Sequence, residues 1–110
     1  MSATIIQYRT RPEAAAENRR LVEAVLREAA QAGGIQYAAF QDGVNFVHIV
    51  AQHAEDKLQQ LGAFAEFRLD LDARVEPGSR TARKVEVLGL AVQSSFAADS
   101  SSRANESEQV

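Results

Sequence analysis

Gly34-Ile35-Gln36-Tyr37-Ala38-Ala39-Phe40-Gln41-Asp42-Gly43-Val44-Asn45-Phe46-Val47-His48-Ile49-Val50-Ala51 is the stretch that decides the fold. Asp42-Gly43, with β-branched and aromatic residues on either side, is a strong short signal for a two-residue type I′ turn. A turn of that length fixes the register: Gln41 faces Val44, Ala39 faces Phe46 and Tyr37 faces His48. Side chains alternate across a strand, so Tyr37 and His48 share one face of the sheet. They are the nearest thing to a chemical site in the chain, which argues for a fold and an assembly more plainly than for a reaction.

Upstream of the hairpin, residues 3–9 read as a strand, with Ile5, Ile6 and Tyr8 as good strand formers. Pro12 suits the first turn of a helix, where its missing N–H has no partner to lose, and Glu13 and Glu17 sit near the positive end of that helix. Leu21, Val22, Val25, Leu26 and Ala29 follow at helical spacing. Gly33-Gly34 ends the helix, since glycine accepts a left-handed cap.

Downstream, the polar segment 52–56 is a connection. Leu58, Leu61, Phe64, Phe67, Leu71 and Val75 then recur at steps of three and four, a second amphipathic helical region with a bend or junction at Gly62. Glu76-Pro77-Gly78-Ser79 is a turn, and residues 83–92 read as the last strand. The order strand, helix, strand, strand, helix, strand predicts an α+β, ferredoxin-like βαββαβ domain over residues 1–92. Its four-stranded antiparallel sheet carries both helices on one face. Residues 93–110 contain six serines and a single aromatic, Phe96; they bury too little apolar area to offset ordering and are expected to form a flexible tail.

Helices on one face leave the other to water, and it should then be polar. Yet Val47, Ile49 and Ala51 oppose Val44, Phe46 and Val50, Val85 and Val87 oppose Leu88 and Leu90, and Ile5 opposes Ile6. Exposing three or four such side chains costs roughly 1.5–3 kcal/mol each. The expectation is a homodimer through the sheet face, with the two sheets stacked as a dimeric α/β barrel.

The bulk numbers exclude much else. At 110 residues, 45% apolar and 25% charged, the profile is that of one ordinary globular domain. A net charge of −3, with Arg9, Arg11, Arg19 and Arg20 offset by Glu13, Glu17 and Glu23, gives no nucleic-acid footprint. With no cysteine, disulfides, thiol catalysis and Cys-ligated metals drop out. No stretch reads as a signal peptide or membrane span, so a cytoplasmic protein without membrane partners is expected.

The chain resembles the dimeric α/β-barrel superfamily, in particular small proteins similar to antibiotic biosynthesis monooxygenases. The resemblance runs over about residues 3–92 and rests on Tyr8-Arg9-Thr10-Arg11-Pro12-Glu13 through Glu17-Asn18 and Leu21-Val22. It continues in Tyr37-Ala38-Ala39-Phe40, Asp42-Gly43-Val44-Asn45-Phe46-Val47-His48, Leu61-Gly62-Ala63-Phe64-Ala65-Glu66-Phe67 and Glu76-Pro77. It implies a ligand cleft between helices and sheet, with Phe46, His48, Val50 and Gln52 looking into it. It also implies either cofactor-free oxygenation of polycyclic phenols or haem degradation, of which the first, on a small aromatic or polyketide-like molecule, is the leading expectation. The chain departs from the pattern in having no tryptophan; Gln52 stands where relatives often place one.

His48 and Tyr37 are the candidate catalytic pair, His48 as general base and Tyr37 as orienting hydroxyl. Phe46, Phe64, Phe67 and Gln52 are the candidate ligand-binding residues. The structural alternative is a pair that satisfies itself by a hydrogen bond on a half-buried face. Of Tyr8 and Arg9, on opposite sides of the first strand, the sequence leaves open which reaches the cleft. His48 and His53 match no metal-ligand spacing, and neither a metal nor a cofactor is expected. The alternative to an enzyme is a non-catalytic ligand-binding or dimerisation module.

Overall fold

The computed structural model describes residues 1–90. Strands β1 (Ser2–Arg9), β2 (Tyr37–Asp42), β3 (Asn45–Ala51) and β4 (Thr81–Glu86) form one antiparallel sheet in the order β2-β3-β1-β4. Helix α1 (Ala15–Ala32) joins β1 to β2, and α2 (Glu55–Leu58), α3 (Gly62–Arg68) and α4 (Leu71–Arg74) lie between β3 and β4. This is the expected ferredoxin-like α+β arrangement. The sheet of the single chain is open, with β2 and β4 as its edges. No helix of the described residues is long and apolar enough to cross a membrane. The expected tail, residues 93–110, lies outside the described residues.

Local chemistry accounts for the elements. Arg11 is extended, as a residue before proline prefers, and Pro12 opens a single 3₁₀ turn that leads into α1. Gly33, at φ 75°, ends α1 while its N–H reaches back to the Ala29 carbonyl at 3.1 Å. The buried stripe of α1 is Asn18, Leu21, Val22, Val25 and Ala29. Its Leu21, Val22 and Val25 share one core with Tyr8, Phe46 and Val50 of the sheet and with Leu58, Phe67 and Val75.

Three expectations need correction. The hairpin register lies two residues from the one expected: Asp42 pairs with Asn45, Ala39 with His48 and Tyr37 with Val50. The turn is therefore Gly43-Val44, and of those two only Gly43 has a positive φ, 63°. That is the sign pattern of a type II′ turn, which wants glycine at its first central position. A slip of two, unlike a slip of one, keeps every side chain on its face, so Tyr37 and His48 still share a side.

The second helical region is three short helices rather than one or two. Besides the junction at Gly62, the chain breaks at Asp70, whose φ is 63°; aspartate is among the few residues that tolerate this left-handed conformation. The last strand is Thr81–Glu86, not residues 83–92. It pairs only with β1, and Ser2 lies opposite Glu86. The Val87 N–H still reaches the Met1 carbonyl at 2.8 Å. Leu88 and Leu90 have no ladder opposite them and are exposed.

Three contacts position the site. Thr10 bridges Val75, and the Arg11 N–H donates to the Arg74 carbonyl at 2.9 Å, pinning the end of α4 beside β1. The Ala63 N–H, in the first turn of α3, donates to Glu28 Oε1 of α1 at 2.9 Å, in place of a cap that Leu61 cannot supply.

The far face of the sheet carries Ile5, Val47, Ile49 and Val85, all partly exposed, and Phe40, 57% exposed. None of these five belongs to the core cluster.

Candidate functional site

β1 and β3 pair with Tyr8 opposite Phe46 and Ile6 opposite His48. The helix-facing side of the sheet therefore presents Tyr8, Phe46, His48 and Tyr37 together. Their rings stack in series: Phe46 on Tyr8 with centroids 5.5 Å apart, Tyr8 on His48 at 5.3 Å, and His48 on Tyr37 at 5.8 Å. Phe67 of α3 meets His48 at 5.7 Å, and Phe64 meets Phe67 at 6.1 Å.

Both ring nitrogens of His48 are engaged. Nε2 lies 2.7 Å from the Tyr8 hydroxyl and Nδ1 lies 2.6 Å from the Tyr37 hydroxyl. The hydrogen bonds continue inward. Asn18 Nδ2 donates to the Tyr8 hydroxyl at 3.0 Å, and Arg74 Nε donates to Asn18 Oδ1 at 2.9 Å. Arg74 also donates to the carbonyls of Phe67 and Leu69, and its guanidinium lies 5.4 Å from the centroid of the Phe67 ring. Asn18 is fully buried, and Tyr8, His48 and Arg74 are nearly so. All four are partnered, as buried polar groups must be.

Burial controls the protonation of these groups. His48 is lowered from its ordinary 6.5 to about 4, because the charged imidazolium would lose its water. The ring is therefore neutral at pH 7. Burial pushes Tyr8 up to about 12, against the Asn18 hydrogen bond that pulls the other way, and it raises Tyr37 as well.

The cluster opens on a cavity of about 450 Å³, a size that takes a small organic molecule. Tyr37, His48, Phe64 and Phe67 line it, with Ile6, Val50 and Leu71 adding apolar wall. Arg68, Arg80, Asp72 and Gln59 supply its polar groups. Arg68 rests over the Phe64 ring, 5.9 Å from the centroid.

The structure thus gathers four of the six residues singled out in the sequence. Phe46 lies deeper, 2% exposed, against Tyr8 rather than at the cavity wall. Gln52 falls in a 3₁₀ turn directly after β3. His53, exposed in that turn, is apart from His48. Of the pair left open, Tyr8 faces the cavity, whereas Arg9 is exposed.

Asn18 and Arg74 were missed, although a signal existed for both. Asn18 occupies the i−3 and i−4 positions of the apolar stripe relative to Leu21 and Val22, and Arg74 continues the spacing of Phe67 and Leu71. A polar residue on a buried stripe needs a buried partner.

No protein-family model matches the sequence, and no curated protein is similar to it in sequence. Solved structures are similar in fold. One, an antibiotic biosynthesis monooxygenase, is 20% identical with a TM-score of 0.65, over 81% of this chain and 100% of that one. A Mycobacterium tuberculosis protein, Rv0793, is 18% identical with a TM-score of 0.65, over 83% and 98%. A Nitrosomonas europaea protein of unknown function is 14% identical with a TM-score of 0.65, over 84% and 93%. The chain therefore has the ferredoxin-like fold of the antibiotic biosynthesis monooxygenase structures.

Proposed function

We propose that the protein is a cofactor-independent, monooxygenase-like enzyme acting on a small aromatic or polyketide-like molecule bound between α3, α4 and the sheet. The observation that carries this reading is the Tyr37 hydroxyl, set at the wall of a 450 Å³ cavity by a buried neutral histidine 2.6 Å behind it. Phe64 and Phe67 stack against a flat substrate, Phe46 backs the wall from beneath Tyr8, and Gln52 follows the strand that carries His48. Because both imidazole nitrogens are engaged, Tyr37 is the group that touches substrate and His48 acts through it. An activated CH₂ next to a phenol or ketone releases one proton to water, and the carbanion passes electrons to O₂; that proton and the second CH₂ hydrogen end in the water formed. One oxygen atom stays on carbon as C=O and the other leaves as water. The protein's part is to hold the ionised substrate and shield it. The likeness to a structure named as a monooxygenase supports this at the level of fold.

Oxygen uptake with anthrone, in the presence of a chelator, tests the reading. Uptake above the spontaneous rate is expected, falling about 10²–10³-fold in Tyr37→Phe, as for loss of one preorganised donor. Anthrone binding without added uptake supports the second reading instead, a non-catalytic ligand-binding module. That reading is favoured by one observation, the absence of a free nitrogen on His48.

The protein further acts as a homodimer through the far face of the sheet. Ile5, Val47, Ile49 and Val85 are only partly covered there, and a second copy would cover them. Sedimentation should give twice the 12.0 kDa of the chain; a 12.0 kDa particle at micromolar concentration overturns the dimer.

A further inference from the structure

We propose that Arg74, Asn18, Tyr8, His48 and Tyr37 form a one-way hydrogen-bond wire that makes the Tyr37 hydroxyl a donor into the cavity, so that the ligand binds through an ionised oxygen, a phenolate or enolate. The ligand part rests on the cavity being the functional site; the wire does not.

The direction follows from what each group can do. Arginine has donors only. Arg74 Nε therefore forces Asn18 to turn Oδ1 toward it, which leaves Nδ2 to donate to the Tyr8 oxygen. Having accepted that bond, Tyr8 points its own proton at His48 Nε2, 2.7 Å away. A neutral imidazole with Nε2 accepting carries its proton on Nδ1. Nδ1–H then donates to the Tyr37 oxygen at 2.6 Å. The Tyr37 proton is left for the cavity. Run the other way, Tyr8 would accept two bonds and its own proton would have no acceptor among the described residues; Tyr8 is 5% exposed, whereas Tyr37 is only half-buried, so the unpaired proton falls to Tyr37.

Charge points to the same ligand. Two guanidinium groups, Arg68 from α3 and Arg80 ahead of β4, line the cavity against one carboxylate, Asp72 of α4. The remaining titratable groups facing it are Tyr8, Tyr37 and His48. A donating hydroxyl in a cavity that also carries two cations favours an oxyanion and disfavours a ligand that must itself donate.

Asn18→Asp is the decisive change, because it keeps the shape and reverses the wire. The carboxylate accepts from both Arg74 and Tyr8, Tyr8 then accepts from His48 Nε2–H, and Nδ1 accepts from Tyr37. Long-range ¹H–¹⁵N spectra of the imidazole should show the Nδ1–H tautomer in the unsubstituted protein and Nε2–H in Asn18→Asp. The Nε2–H tautomer in the unsubstituted protein overturns the wire, and that measurement needs no variant to fold.

The ligand assignment is read with 4-nitrophenol, whose phenolate is coloured. Bound probe should ionise about one pH unit or more below free probe. The shift should shrink in Tyr37→Phe and in Asn18→Asp. Probe that binds neutral, or whose ionisation is unmoved, overturns the oxyanion assignment. Probe bound as phenolate with no anthrone-dependent uptake removes the oxygenase reading and leaves this one standing.

Discussion

The two faces of the sheet each depart from the usual rule. The face under the helices is buried and carries the polar groups: Tyr8, His48 and, from the helices, Asn18 and Arg74. The face without helices is partly exposed and carries Ile5, Val47, Ile49, Val85 and Phe40. Polar atoms are tolerated in the core because each has a partner within hydrogen-bond reach, whereas aliphatic side chains on a half-exposed layer have no such remedy except cover. The proposed chemistry and the proposed assembly thus fall on opposite sides of one layer about 5 Å from strand to strand.

Substitutions can break or sharpen that contrast. The largest effect is expected for Phe46→Ala. This ring is 2% exposed and stacks beneath Tyr8, so urea unfolding should show a loss of about 3–5 kcal/mol. A loss below 1 kcal/mol would mean that the helix-side core is looser than its packing implies.

Acid comes next. His48 is lowered to about 4 in the folded chain from 6.5, so between those values the unfolded chain binds the extra proton. The fold should pay nothing above pH 6.5 and lose stability as pH falls toward 4, by about 3 kcal/mol when complete. Unfolding free energy measured against pH in His48→Gln should lack this slope; an unchanged slope would place its origin elsewhere.

The smallest effect on the fold of one chain belongs to the far face. Ile49→Asp should alter the stability of a monomer by under about 1 kcal/mol. The same change should halve the sedimenting mass if the faces are stacked. A large loss of stability without a change of mass would show that the described chain already covers Ile49.

The sequence was most legible where order is local. The stripe on α1, its glycine stop and the hairpin follow from spacing within a few residues. Tyr37 and His48 came together on parity alone, since a register slip of two left their side unchanged. What escaped depends on distant partners. Arg74 meets Asn18 across 56 positions and Tyr8 meets His48 across 40. Neither pairing has a local sign beyond a polar residue on an apolar stripe. The end of β4 escaped for a related reason: apolar alternation continues past Glu86, but the ladder on β1 does not.

The seven residues of α3 are too few to hold a helix alone in water, and the oxygen that receives the Ala63 N–H comes from Glu28, thirty-five positions earlier. Phe64 and Phe67 are consequently in place only when α1 has docked. The cavity is then an all-or-none property of the closed domain: a chain that has not finished folding offers no half-formed pocket to capture stray hydrophobic molecules.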